Sequence, residues 1–164
     1  MKSWPWALAA LILLVDQATK FWMVEVVRLP QRLTVPMGPF LSLTWVENPG
    51  VSMGLLRWLG EEWRWGLTAI TAGIAAAVAW WLKRASAGLD RLGLGLVLGG
   101  ALGNIVDRIR LGYVIDFVHL HWGAWSFPVF NVADVGISTG AALLLLGMVV
   151  PRPEAQLPQG KETR

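Results

Sequence analysis

Residues Trp4–Val27, WPWALAALILLVDQATKFWMVEVV, decide the fold, because an almost unbroken apolar run surrounds a few charged side chains. The apolar residues Trp4–Val15 lead into Asp16 and Lys20, and apolar sequence then resumes. A helix of about 20 apolar residues crosses a hydrocarbon core of about 30 Å. An ionisable group at that depth costs roughly 2.5–3.5 kcal/mol, so it usually marks a functional site. The stretch therefore predicts a membrane helix that carries part of a site.

The rest of the chain is equally apolar. Of its 164 residues, 55% are hydrophobic and 15% are charged, whereas a soluble domain carries about 25% charged residues. We therefore expect one integral membrane domain, residues 1–150, followed by a short disordered cytoplasmic tail, residues 151–164. Tryptophans near the ends of the apolar stretches are typical of membrane interfaces. The predicted spans are residues 4–27, 63–82, 90–109 and 132–150.

Composition excludes several classes of protein. The chain has no cysteine, which rules out a disulfide scaffold, a thiolate zinc site and a cysteine nucleophile. Its basic residues are spread out and form no block that predicts nucleic-acid binding. His119 and His121 alternate on an extended segment, but a metal site needs three or four ligands. Two interfacial histidines are commoner as surface residues, so we expect no metal and no cofactor.

The connections between the spans contain strand-like segments. Leu41–Val46 alternates apolar and polar residues, Leu33–Val35 is a shorter candidate, and Gly38-Pro39 lies between the two. These features predict a small antiparallel sheet. Val114–Val118 is also strand-like except for Asp116. Leu55, Leu56, Trp58 and Leu59 suggest a short helix on the membrane surface, although packing alone explains them equally well.

Depth along the helices predicts that the polar residues meet. At 1.5 Å per residue, Asp16 lies roughly 18 Å along the first span, and Asn104 and Asp107 lie roughly 21 and 25 Å along the third. The fourth span enters from the side that these residues approach, with Asp134 in its first turn. Asp116 lies in the connection on that side. We therefore expect these groups to converge in one leaflet.

Structural roles compete with chemistry for most of these residues. Asn131-x-x-Asp134 before an apolar helix has the spacing of a capping box. Asp16 and Lys20 are four residues apart and predict a buried structural pair. We also expect Asp107 and Arg108 to form an internal ion pair that positions a loop. Asp116 is hardest to assign to structure, because its only structural explanation is a charge in a turn or an edge strand.

Five motifs, in order, resemble the lipoprotein signal peptidases (signal peptidase II), a family of bacterial membrane aspartyl proteases. The resemblance extends to about residue 150 and is specific because all five motifs occur together on a four-span chain. Such relatives usually follow Asn-x-Gly with Ala-Ala and an aromatic residue, whereas this chain has Val51-Ser52-Met53. That departure concerns local substrate contacts. The motifs are Asp16–Lys20, Asn48-Pro49-Gly50, Gly99–Arg108, Val114–Phe117 and Phe130–Asp134.

The resemblance implies a fold of four transmembrane helices, a small extracytoplasmic β-sheet cradle and a surface helix. It implies an aspartic endopeptidase that cleaves diacylglyceryl-modified prolipoproteins just before the lipidated cysteine. Asp116 and Asp134 are then the catalytic pair, and a water molecule is the nucleophile. Supporting or substrate-binding roles fall to Asp16, Lys20, Asn48, Gly50, Asn104, Asp107, Arg108 and Asn131.

The resemblance places the protein in the bacterial inner membrane as a multi-pass chain, and we expect a monomer in contact with membrane lipid. Both termini are expected in the cytoplasm, since the short loop at residues 83–91 is dense in positive charge. The active site then lies near the extracytoplasmic face. A small transporter or proton-relay protein is the alternative, because intramembrane acids mark those too. Transporters usually show repeated halves, and this sequence shows no repeat.

Overall fold

A computed structural model describes residues 3–50, 62–86 and 88–149 of the chain. Five α-helices and four β-strands are present in these residues. The helices are α1 (Trp4–Phe21), α2 (Leu29–Arg32), α3 (Glu62–Arg84), α4 (Gly88–Leu111) and α5 (Val132–Val149). The strands are β1 (Thr34–Pro36), β2 (Leu41–Asn48), β3 (Val114–Trp122) and β4 (Trp125–Ser126).

The four long helices confirm the predicted membrane architecture. A π-helical turn, Trp22–Val26, extends α1, so that the first span runs from Trp4 to Val26. α3, α4 and α5 are also long and apolar enough to cross a membrane. Their bounds differ from the predicted ones by no more than two residues. The predicted surface helix, the Val51-Ser52-Met53 segment and the tail lie outside the described residues.

α4 lies at the centre of the bundle because glycines let two neighbouring helices approach it closely. Gly95, Gly99 and Gly103 face α1, and a Cβ atom added at Gly99 would lie 2.5 Å from the carbonyl oxygen of Ala9. Gly100, on the adjacent face, lies against the carbonyl oxygen of Ala133 in α5. Small residues repeated every four positions permit this backbone approach in membranes. The ladder therefore brings the polar residues of α1, α4 and α5 within reach of one another.

Two apolar clusters support the site from opposite sides. One lies within the bundle, where Leu94 and Leu98 of α4 pack with Ala9 of α1 and with residues of α3. The other lies beneath the sheet and joins Leu29 and Met23 to the β3 side chains of Ile115 and Phe117. Because Asp116 falls between two buried residues of β3, its backbone is fixed by apolar packing on both sides.

The sheet is antiparallel, with strand order β1-β2-β3-β4. A register shift between Leu43 and Val46 sets which residues of β2 face β3, and it places Val46 opposite Asp116. An isolated bridge between Val118 and Phe130 then ties the segment before α5 to β3. Phe130 donates to the carbonyl oxygen of Val118 at 3.0 Å and accepts from the Val118 N–H at 2.8 Å. This bridge fixes the start of α5 beside Asp116.

Candidate active site

Asp116 lies on β3 with 1% of its surface exposed, and a turn at the end of β2 holds one of its oxygens. Asn48 Nδ2 donates to Asp116 Oδ2 at 2.9 Å. The Gly50 N–H donates to Asn48 Oδ1 at 2.8 Å, and Gly50 has a φ of 79°, which favours glycine. The turn therefore fixes the orientation of the Asn48 amide, and the amide in turn holds the Asp116 carboxyl.

Asp134 is held by the predicted capping box at the start of α5. The Asp134 N–H donates to Asn131 Oδ1 at 2.9 Å, and the Asn131 N–H donates to Asp134 Oδ2 at 3.1 Å. A carboxylate in the first turn is also favoured by the helix dipole. The cap explains the position of Asp134, and it leaves the side chain half-buried beside Asp116 rather than hidden in the bundle.

Asn131 connects the two acids. Its side chain is fully buried, and Nδ2 donates to Asp116 Oδ1 at 2.6 Å while its backbone N–H holds Asp134. Asn104 Nδ2 donates to Asp134 Oδ1 at 3.0 Å. Three asparagines, with one backbone N–H, thus supply a donor to each of the four carboxyl oxygens. This arrangement fixes both carboxyl groups, and neither forms an ion pair with a cation among the described residues.

A buried lysine, Lys20, holds Asn104 in place and pairs with two further carboxylates. Lys20 Nζ lies 2.8 Å from Asp16 Oδ2 and 2.7 Å from Asp107 Oδ2, and it donates to Asn104 Oδ1 at 3.2 Å. Asp16 Oδ1 accepts the Ala133 N–H at 3.0 Å, and Asp107 Oδ2 accepts the Ile115 N–H at 3.1 Å. The predicted Asp16–Lys20 pair is therefore confirmed. Through Asp16 and Asp107, this network contacts the backbone one residue before each acid, at Ala133 and at Ile115.

The predicted ion pair between Asp107 and Arg108 is wrong. Neighbouring residues of a helix point about 100° apart, and Asp107 faces α1, where it pairs with Lys20. Arg108 instead faces the turn after β2, since a Cβ atom added at Gly50 would lie 3.3 Å from Arg108 Nη2. Arg108 Nε is buried and forms no hydrogen bond within the described residues. The guanidinium lies within electrostatic reach of Asp134 and Asp116.

Burial changes the acidity of Asp116. Burial raises the pKa of the Asp116 carboxyl to about 6, with a contribution from the neighbouring charge of Asp134. The hydrogen bonds from Asn48 and Asn131 act in the opposite direction, because they favour the ionised form. Asp116 therefore retains its proton at pH values where an ordinary aspartic acid has lost it.

A cleft of about 360 Å³ opens beside Asp134. Its walls come from the segment that leads into α5 and from the first turns of α5, and they are mostly apolar. Phe127, Phe130 and Val135 line it together with the hydroxyl-bearing Ser138 and Thr139. The cleft therefore places a carboxylate at the edge of a mostly apolar surface.

The histidine pair lies elsewhere on the sheet and its nitrogens are engaged with hydroxyl groups. His121 Nε2 lies 2.9 Å from Ser42 Oγ, and His119 Nε2 lies 2.7 Å from Ser126 Oγ. Among residues 3–50, 62–86 and 88–149, no group of three or more histidines and acids is placed to hold a metal ion. The geometry around the two rings is that of a polar patch on the sheet.

The structure brings all ten predicted site residues into one connected region, from Lys20 and Asp16 through Asn104 to Asp116 and Asp134. Sequence reasoning missed Gln17, whose Nε2 donates to Asp107 Oδ1 at 2.9 Å and approaches Asp16 Oδ2 at 3.2 Å. A polar residue next to Asp16 in an apolar span carried the signal. Asn131 was predicted both as part of a cap and as a supporting residue, and its contacts are of both kinds, since it caps α5 and also donates to each of the two acids.

A family model and individual relatives both match most of this chain. The family model described as signal peptidase (SPase) II matches residues 8–150. A lipoprotein signal peptidase of Methylobacterium sp. (strain 4-46) is 49% identical over 143 residues, which cover 87% of each chain. A lipoprotein signal peptidase of Rhizorhabdus wittichii is 48% identical over 145 residues, with 88% of this chain and 84% of that protein covered.

Solved structures share the fold. Two structures described as bacterial membrane enzymes match with TM-scores of 0.71 and 0.69, each at 24% identity. The match to the first structure covers 90% of this chain and 94% of that structure's chain. The match to the second covers 88% of this chain and 87% of that structure's chain. At that identity the likeness concerns the architecture of four membrane helices and a small sheet.

Proposed function

Because the chain belongs to the signal peptidase II family and removes signal peptides from prolipoproteins, we propose that Asp116 and Asp134 are its catalytic carboxylates. The observation that carries this proposal is the arrangement around Asn131, whose amide and backbone N–H each hold one of the two acids. Aspartic proteolysis needs two carboxyl groups that share one proton and flank a water molecule. Two acids that are fixed to a common residue, and that form no ion pair with any described cation, meet that requirement.

The reaction follows from the two environments. Ionised Asp134 takes a proton from a water molecule, whose oxygen attacks the scissile carbonyl carbon. Protonated Asp116 donates a hydrogen bond to the carbonyl oxygen and stabilises the charge that develops there. The leaving amine then takes a proton from the dyad as the C–N bond breaks. The products are a signal peptide with a new carboxylate and a lipoprotein with a free amino group on its first residue.

The assignment of the two roles rests on burial and on helix geometry. Asp116 is buried, and its pKa of about 6 lets it hold a proton at pH values where an ordinary aspartic acid is already ionised. Asp134 lies at the start of α5, where the backbone N–H groups and the helix dipole favour the ionised form. Because the two carboxyl groups interact, the shared proton is assigned to the pair, and the proposed reaction starts from the form in which Asp116 carries it.

Arg108 and the asparagines have supporting roles in this proposal. The buried Nε of Arg108 has no hydrogen-bond partner within the described residues and lies near both acids, so it is a donor for a substrate carbonyl. Asn104 and Asn131 orient the carboxyl groups. Lys20, with Asp16 and Asp107, fixes Asn104 from the side away from the substrate.

We propose a diacylglyceryl-modified precursor as the substrate, cleaved just before its lipidated cysteine. The apolar cleft beside Asp134 supports this, because its walls suit acyl chains next to a carboxylate. A site at the ends of α1 and α4 and at the start of α5 lies near one membrane boundary. The end of α3 carries Lys83 and Arg84, and the first turn of α4 carries Arg91. These positive charges favour a cytoplasmic location for both termini and an extracytoplasmic active site. A monomer contains every residue that the mechanism uses.

Cleavage by purified protein tests this function directly. Protein in detergent should cut a precursor that carries diacylglyceryl on its cysteine and should leave the same unmodified precursor intact. Mass spectrometry of both products would place the cut. Equal cleavage of both precursors would contradict the lipid requirement, and absence of cleavage of either would contradict the peptidase function and favour the transporter alternative.

A transition-state analogue tests the mechanism separately. A lipidated precursor with a hydroxyethylene group in place of the scissile amide mimics the tetrahedral intermediate between the two acids. Such analogues bind at least about 10²-fold tighter than substrates. The matched control has a plain methylene isostere without the hydroxyl. Equal inhibition by the two compounds would show that no oxygen is bound by the dyad.

A further inference from the structure

A second cavity, of about 320 Å³, lies apart from the cleft beside Asp134 and is formed by different elements. Its walls come from the end of α1, the π-helical turn, β2, the end of α4 and the start of β3. Its floor is the buried network, where Lys20 and Asp107 are already paired with each other. The proposed cleavage reaction uses none of the outer wall of this cavity.

The cavity lies at one membrane boundary. Phe21 and Glu25 belong to the end of the first span, which finishes at Val26, and Arg110 and Leu111 are the last two residues of the third span. The first and third spans run in the same direction in a four-helix chain, so their ends lie at the same face of the bilayer. Phe21 is 66% exposed and Leu111 is 39% exposed. The mouth therefore offers apolar surface to lipid and charged side chains at headgroup level.

The outer wall carries charges of both signs that form no ion pair with another described residue. Within the residues that the structure describes, the ion pairs are those of Lys20, so Glu25, Glu47 and Arg110 have no ion-pair partner. Trp45 Nε1 donates to Glu47 Oε1 at 3.4 Å, and the Tyr113 hydroxyl lies within electrostatic reach of the same carboxylate. A cavity wall with two carboxylates and one guanidinium, none of them in an ion pair among the described residues, suits a ligand that carries both an ammonium and a phosphate.

Aromatic side chains strengthen that preference. Phe21, Trp45 and Tyr113 all line the cavity near the acids. An ammonium group is attracted both by carboxylates and by the faces of aromatic rings. A guanidinium binds phosphate oxygens through paired N–H donors. The three groups together recognise an ammonium linked to a phosphate rather than either group alone.

We propose that this cavity binds the headgroup of a zwitterionic phospholipid such as phosphatidylethanolamine. Its ammonium lies between Glu25 and Glu47, its phosphate contacts Arg110, and its acyl chains follow the exposed sides of Phe21 and Leu111. The bound lipid adjoins the floor formed by Lys20 and Asp107, so it also shields the buried network from water. The proposal does not depend on the assignment of the catalytic acids.

Native mass spectrometry of delipidated protein in detergent tests it. Phosphatidylethanolamine should bind at least about tenfold tighter than phosphatidylglycerol with the same acyl chains. The double variant Glu25→Gln/Glu47→Gln should lose that preference without weaker phosphatidylglycerol binding. Arg110→Gln should weaken both lipids. The matched control Arg32→Gln, which removes an exposed charge from α2 outside the cavity, should change neither.

Equal affinity of the unmodified protein for the two lipids would overturn the proposal, and so would a preference that survives in the double variant. Soluble glycerophosphoethanolamine distinguishes a lipid from a free headgroup. If it binds as tightly as the intact lipid, the acyl contacts contribute nothing and the ligand is not a membrane lipid. A matched thermal unfolding curve for each variant excludes misfolding as the cause of lost binding.

Discussion

Replacing Lys20 with methionine removes the cation that holds the buried network together. Lys20 is 2% exposed and lies 2.8 and 2.7 Å from the carboxylates of Asp16 and Asp107. At an effective dielectric constant near 20, each attraction at such a distance is worth about 6 kcal/mol before desolvation. Removing one partner of a buried pair costs about 3–5 kcal/mol, because the remaining charges stay buried and uncompensated. We expect Lys20→Met to lower the free energy of unfolding by that amount.

Equilibrium unfolding in mixed detergent micelles, with tryptophan fluorescence as the signal, measures the effect. The double variant Lys20→Met/Asp107→Asn has the same net charge in the network as the native protein. It should therefore recover at least about 1 kcal/mol relative to Lys20→Met, within the range of coupling energies seen for contacting residues. The matched control Lys83→Met removes an exposed cation at the end of α3 and should have little effect. Lys20→Met as stable as the control, or a double variant less stable than Lys20→Met, would refute the reasoning.

Three further predictions concern catalysis and packing. Asn131→Ala should lower kcat by roughly 10²–10⁴-fold with little change in KM, since the acids lose their common support. Steady-state kinetics on a lipidated precursor would measure this loss, and an unchanged kcat would contradict the role of Asn131. Because the pKa of Asp116 is raised to about 6, its proton is present below that pH and lost above it, so kcat/KM should fall on the alkaline side with a midpoint near 6. A profile that stays flat from about pH 5 to 8 would exclude Asp116 as the proton donor. Gly99→Ala should destabilise the fold by about 1–3 kcal/mol through overpacking, whereas Gly73→Ala, where an added Cβ meets nothing within 4 Å, should not; equal unfolding midpoints would contradict the close approach of α1 and α4.

Much of the fold could be predicted from the sequence because the relevant signals are local. Apolar length sets the four membrane helices, alternation of apolar and polar residues sets the strand β2, and the apolar residues around Asp116 set the strand β3. The spacing of Asn131 and Asp134 predicts both hydrogen bonds of the capping box. The four-residue spacing of Asp16 and Lys20 predicts their pair. In the capping box and in the Asp16–Lys20 pair, the two partners lie three or four residues apart, so no knowledge of the tertiary structure is needed.

The remainder depends on contacts between distant elements. Asp107 pairs with Lys20 of α1 rather than with Arg108, because the glycine ladder brings α1 against that face of α4. Asn48 reaches Asp116 only because β2 changes register between Leu43 and Val46. A shift of this kind has no signal in a single sequence. Gln17 was missed because its main partner, Asp107, is 90 positions away in the sequence.

Asparagine substitution of the two acids tests the central claim most directly. Asp116→Asn and Asp134→Asn keep the size of each side chain but remove its ability to exchange a proton with water or substrate. In single-turnover cleavage of a diacylglyceryl-modified precursor, each variant should lose at least about 10³-fold in rate, within the contribution expected of a general acid or base. Each variant should still be folded, with an unfolding midpoint close to that of the native protein. The matched control Asp90→Asn, at the opposite end of α4, should cleave normally. Normal turnover by either Asp116→Asn or Asp134→Asn would contradict the account.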